Sequence, residues 1–122
     1  MFIELTTEYN GKTIVCLGDI KSIHERLKGV EITFFGEDSA VRYLESYARL
    51  EAKLSSINYM QSFLEVSHKG LSSAYKLRNI KSLVEAGDFA CDVYCYEGED
   101  YLTLKTAYDE ILKQLVAKSR MI

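Results

Sequence analysis

The sequence predicts an α+β fold made of two tandem copies of a small module. Each module is an antiparallel β-sheet or open barrel followed by a C-terminal helix. Three observations predict it. The 122-residue chain matches itself when shifted by about sixty positions. Within each half, apolar residues first alternate with period two and then recur at spacings of three and four. The chain has no proline to interrupt either pattern, and turn residues fall at corresponding places.

The shift brings Phe2-Ile3-Glu4-Leu5-Thr6 onto Phe63-Leu64-Glu65-Val66-Ser67, and Ile20-Lys21-Ser22 onto Ile80-Lys81-Ser82. Val30, Ile32 and Phe34 meet Cys91, Val93 and Cys95. Tyr47, Leu50 and Leu54 meet Tyr108, Ile111 and Leu115. The modules are then residues 1–58 and 59–122, each a β-rich unit with its closing helix.

In chain order, residues 1–7 alternate, with Ile3 and Leu5 on one face. Asn10-Gly11 supplies the two positive-φ residues of a two-residue hairpin turn, and Thr13, Val15 and Leu17 continue the inward face. Residues 23–26 form a third short strand, Lys28-Gly29 turns, and residues 30–35 form the best strand of this half. After Gly36-Glu37-Asp38-Ser39, Val41 and Tyr43 point inward. At Glu45-Ser46 the period changes. Tyr47, Leu50, Leu54 and Ile57 make an amphipathic stripe with Glu45 or Ser46 as the cap. Residues 59–62 connect.

The plan then repeats. There are strands at 61–68 and 72–77, with the Lys69-Gly70 turn between them. Strands follow at 80–85, 91–96 and 101–104, separated by turns at Gly87-Asp88 and Glu97-Gly98-Glu99-Asp100. Thr106 caps a last helix striped by Tyr108, Ile111, Leu112, Leu115 and Val116.

Composition bounds the class. Apolar content of 48% and charged content of 27% describe an ordinary folded domain. A net charge of −3 disfavours nucleic acid as a partner, because such binders usually carry a basic surplus. Three cysteines make no disulfide framework. With no signal-like stretch and no membrane-spanning apolar run, the expectation is a cytoplasmic protein with reduced thiols and no membrane partner.

A module of about sixty residues buries too little apolar area to stand comfortably alone. The two should therefore dock. Outward positions that would normally be polar are aromatic instead: Phe2, Phe35, Phe63, Tyr94 and Tyr96. These are the candidate contacts between modules, between two chains of a homo-oligomer, or with a protein partner.

Catalytic, cofactor and metal motifs are absent. Cys91 and Cys95 share the inward face of their strand and read as core. Cys16 with His24 is a weak nucleophile–base pairing. The carboxylates at Glu37-Asp38 and at Glu97, Glu99 and Asp100 read as solvated turns. No enzyme, no cofactor and no metal site is expected. Lys21, Lys76, Arg78 and Lys81 form a modest basic edge, the candidate phosphate contact if nucleic acid is bound.

The first half resembles the small FlbD-like family of bacterial flagellar and swarming-motility proteins. The resemblance rests on Leu5-Thr6, Asn10-Gly11-Lys12, Leu17, Asp19, Ile23, Glu25, Ile32-Thr33-Phe34, Gly36 and residues 41–46. It implies a bacterial or phage origin and supports fold more than function. The region from Asp19 to Leu54 also resembles the strand–strand–helix end of LytTR-type DNA-binding domains, though the acidic balance and the lack of basic reading loops speak against DNA binding.

The function expected first is a non-enzymatic protein–protein adaptor. The alternatives are a nucleic-acid-binding regulator and a small-ligand binder. The ligand pocket would lie between the modules, lined by Tyr9, Tyr43, Tyr94, Tyr96 and Tyr101.

Overall fold

The order of elements repeats along the chain. A computed structural model describes residues 1–98 and 101–121. The Glu99-Asp100 half of the second acidic turn therefore lies outside the described residues. The first half runs β1 (Phe2–Thr6), β2 (Lys12–Cys16), a 3₁₀ turn, β3 (Ile20–Arg26), β4 (Gly29–Phe34), β5 (Val41–Tyr43) and α1 (Tyr47–Ser55). The second runs β6 (Phe63–His68), β7 (Leu71–Lys76), a 3₁₀ turn, β8 (Ile80–Glu85), β9 (Cys91–Cys95), β10 (Tyr101–Leu104) and α2 (Tyr108–Lys118). All pairings are antiparallel. The sheets are β1-β2, a central β5-β4-β3-β7-β6, and β10-β9-β8.

The halves are joined by strand pairing. β3 and β7 lie side by side, with Ser22 opposite Tyr75, Ile23 opposite Ala74 and His24 opposite Ser73. The first hairpin hangs from the other edge of the central sheet. Thr7 bridges Tyr43, and the Leu44 N–H donates to the Thr6 carbonyl at 2.8 Å.

Two cores follow from this layering. The larger holds Leu5 and Val15 of the first hairpin, Ile23, Val30, Ile32 and Ala74 of the central sheet, Tyr47, Leu50 and Leu54 of α1, and Phe63. The smaller lies on the opposite side of β6 and β7. It holds Leu64, Cys91, Val93, Leu104 and Ile111, with Val66, Tyr75, Leu83, Tyr108 and Leu115 half-buried at its rim.

Local chemistry accounts for the element ends. Ser46 caps α1 by accepting from the Arg49 N–H at 3.2 Å, satisfying one of the helix's otherwise orphaned donors. For α2 the cap position is Ala107, not Thr106, and no side chain bonds there. The first hairpin also differs from expectation. Thr7 pairs with Gly11, Asn10 alone is left-handed at φ 64°, and the loop has three residues. Three-residue loops with a left-handed residue are the next most common hairpin connection. The two-residue turn with both φ positive occurs instead at Lys69 (53°) and Gly70 (79°).

Polar bonds tie the helices to β6. The Tyr47 hydroxyl donates to Glu65 Oε1 at 3.1 Å. Gln114 exchanges two hydrogen bonds with the Glu65 backbone, and Lys118 Nζ donates to the Phe63 carbonyl at 2.8 Å.

Candidate nucleic-acid interface

Strand register gathers the hairpin tips at one end of the molecule. The β3–β4 turn, Leu27-Lys28, closes the Arg26–Gly29 pair. Val30 pairs with Tyr43, and Tyr43 bridges Thr7, which places the first hairpin loop beside that turn. On the other side, the Ser72 N–H donates to Glu25 Oε1 at 2.8 Å, so the Lys69-Gly70 turn also lies alongside. His68 and Leu71 next to that turn share a groove with Lys105 at the end of β10. Leu104 pairs with Cys91, which brings the 86–90 loop to the same end.

These tips carry exposed lysines and apolar side chains. Lys12, Lys28, Lys69 and Lys105 are exposed and make no ion pair with the described residues. Between them project Leu27, 99% exposed, Tyr9, 86%, and Phe89, 81%. Several acids of this end are bound internally. Glu25 accepts from Ser72, Glu31 pairs with Arg26 (3.2 Å) and lies 3.9 Å from Arg42, and both Glu45 oxygens accept from the Thr6 N–H. Glu8, Glu85 and Asp88 remain exposed.

The opposite end is acidic. Asp19, Glu37, Asp38 and Glu97 are exposed there, and the Gly36 N–H donates to Glu97 Oε1 at 2.9 Å, joining the corresponding turns of the two halves. The net charge of −3 is thus unevenly spread: the cations and carboxylates named at the tip face balance, whereas the opposite end carries an excess of carboxylates.

The lysines and arginine chosen from sequence do not form one edge. Lys76 is buried, its ammonium donating to the Leu17 carbonyl and the Tyr59 hydroxyl, each at 2.8 Å, with the Phe63 ring beneath it. Burial, aided by the nearby Arg78 charge, pushes its pKa down to about 8. Arg78 lies 3.8 Å over the Phe35 ring and donates to the Gly18 carbonyl. Lys21 lies beside the acidic turns with Glu37, Asp38 and Glu97. Lys81 is exposed on β8. The tip lysines carried a legible signal: three of the four stand next to a turn glycine, in Gly11-Lys12, Lys28-Gly29 and Lys69-Gly70.

The outward aromatics are equally scattered. Phe63, read as outward, is fully buried in the larger core, because the face of β6 it occupies is covered. Phe2 and Tyr96 are exposed, Tyr94 stacks on Tyr101 at 5.6 Å, and Phe35 receives Arg78.

A cleft of about 320 Å³ opens between the central sheet and β8–β10. Its floor is polar. His24 contacts the Ser22 hydroxyl through Nε2 and the Ser73 hydroxyl through Nδ1, each at 3.0 Å, and Ser22 also bonds Thr33. Burial first, then the Arg26 charge, lowers the His24 pKa below the usual imidazole range. Tyr75 lines this cleft; Tyr9, Tyr43, Tyr94, Tyr96 and Tyr101 do not. Among the described residues no group of three or more His, Cys, Asp or Glu is placed to hold a metal ion, and no helix is long and apolar enough to cross a membrane.

No family model matches the sequence, and no curated protein matches it, so the motility-family resemblance gains no support. A solved structure is similar in fold: the LytTr DNA-binding domain of a methyl-accepting/DNA response regulator from Bacillus cereus. The likeness has a TM-score of 0.63 at 13% identity and covers 94% of this chain and 95% of that one. It therefore extends well beyond Asp19–Leu54, across both halves. This finding corrects the order of functions expected from sequence. The protein-binding adaptor set first, and nucleic acid set aside as a partner, give way to the nucleic-acid alternative.

Proposed function

We propose that the protein is a non-enzymatic, nucleic-acid-binding regulatory domain that meets duplex DNA with its hairpin-tip face. The observation that carries this is the gathering of Lys12, Lys28, Lys69 and Lys105 at one end of a chain whose fold resembles a DNA-binding domain from end to end. Cations at the tips meet phosphates, and exposed turn residues between them reach toward the base edges. The acidic end, repelled by phosphate, orients the approach.

A cytoplasmic place of action accords with three free cysteines.

The test is fluorescence anisotropy with a random-sequence duplex at two salt concentrations. Wild type should bind at low salt and weaken steeply as salt rises. The double variant Lys28→Glu/Lys69→Glu should bind less tightly, and its log–log salt slope should be shallower by about one unit for each phosphate that the variant no longer neutralises. Lys81→Glu should leave both nearly unchanged. No binding by wild type at low salt would end this reading.

A further inference from the structure

Placed side by side, the three sheets read as one ribbon, and its two ends match. Reading across edges, the order is β2-β1, then β5-β4-β3-β7-β6, then β10-β9-β8. The first junction is the Thr7–Tyr43 bridge, and the second is the groove shared by His68 and Lys105. Among the described residues the only strand pairing between the halves is β3 with β7. In the sixty-residue register, β8 corresponds to β3, and β2 corresponds to β7. Both β8 and β2 have one edge with no strand on it among the described residues. A bare strand edge is a template for pairing with another chain.

Burial shows what each end lacks. In the larger core Ile20, Ile23, Tyr47 and Leu54 are all buried, because the second hairpin lays Phe63 and Ala74 over them. Their counterparts in the smaller core, Ile80, Leu83, Tyr108 and Leu115, are only half-buried. At the other end of the ribbon, Phe2 and Ile14, the counterparts of Phe63 and Ala74, are 71% and 70% exposed with no core beneath them. Charge agrees. Glu25 bonds Ser72 across the internal junction. The corresponding pair is Glu85 and Lys12, both exposed and of opposite sign.

We propose that copies of this chain associate head to tail, with β2 of one copy pairing antiparallel to β8 of the next in the register of the internal junction. Val15 of one copy then lies opposite Ser82 of its neighbour, Ile14 opposite Leu83, and Thr13 opposite Val84. Phe2 and Ile14 close the neighbour's smaller core. The contact is heterologous, so it extends to a third copy unless a ring closes. This inference stands apart from nucleic-acid binding and needs none.

The test uses two variants altered only at solvent-exposed positions. Ile14→Asp blocks the β2 end, and Val84→Lys/Glu85→Lys blocks the β8 end. Melting curves establish that both remain folded. In sedimentation equilibrium without nucleic acid, wild type should show a mass that climbs with concentration. Each variant alone should stay monomeric, since each lacks one half of the contact. An equimolar mixture of the two should form a dimer and nothing larger. A wild type that stays monomeric up to about 1 mM, where even a very weak specific contact is populated, overturns the proposal. So does either variant associating with itself, because that contact would be isologous.

Discussion

Phe2 and Phe63 occupy the same place in two hairpins of the same plan, yet one is 71% exposed and the other is fully buried. Ile14 and Ala74 on the partner strands repeat the contrast. The strands are alike; their surroundings are not. β1–β2 is covered on one face only, whereas β6–β7 is held between two cores and fixed at its edge by β3. The second hairpin is therefore the structural keystone and the first is an appendage, a difference that period-two alternation leaves invisible. The lysine of the second hairpin, Lys76, follows the same logic. At the junction it serves the interior, while the first hairpin has a half-exposed Cys16 at that place.

The sharpest way to break this contrast is through a glycine. A Cβ built on Gly29, at φ +111°, would lie 2.0 Å from the Tyr43 carbonyl oxygen, where β5 must pass to reach the first hairpin. The turn glycine of the second half, Gly87, at φ +91°, has nothing within 4 Å of such a Cβ. Chemical denaturation should show Gly29→Ala losing about 3 kcal/mol or more, and Gly87→Ala only about 1 kcal/mol, the cost of positive φ alone. Equal losses would show that the β5 crossing is not tightly packed.

The pair of phenylalanines offers a contrast of similar size. Phe63→Ala should cost about 3–5 kcal/mol, as for a large core truncation. Phe2→Ala, measured in dilute protein, should stay within about 0.5 kcal/mol.

A further effect is one of pH. Lys76 titrates near 8 in the folded chain and at 10.5 when unperturbed. The unfolded state thus binds more protons between those values, and stability rises with pH across that window. The penalty of a buried ammonium is fully present below pH 8 and is relieved above it. Between pH 8 and 10.5 the unfolding free energy of wild type should climb relative to Lys76→Met, which cannot titrate. A constant difference would mean that the ammonium keeps its proton in the interior.

Much of the architecture was legible because it is local. Tyr47, Leu50 and Leu54 are all buried at helical spacing, Ser46 is the cap, and the strands lie within a few residues of where alternation places them. The loop type at Asn10-Gly11 was not legible, because the same dipeptide serves two- and three-residue turns. The β3–β7 pairing was hidden as well. It joins residues about fifty apart, and no local pattern encodes which edges meet. The burial of Phe63 and Lys76 was hidden with it. For the interface, Lys21 and Lys81 recur in the sequence and drew attention, whereas Lys12, Lys28 and Lys69 become neighbours only after the sheet has formed.

That pairing also sets a timetable for synthesis. The ribosome makes residues 1–58 before residues 59–122, and until then β3 has β4 on one side and lacks β7 on the other. Its outer backbone groups stay unpaired until Lys76 has left the exit tunnel and β7 can swing back. A pause in translation before that point leaves an adhesive nascent chain, one that a chaperone or a neighbouring polysome must reckon with.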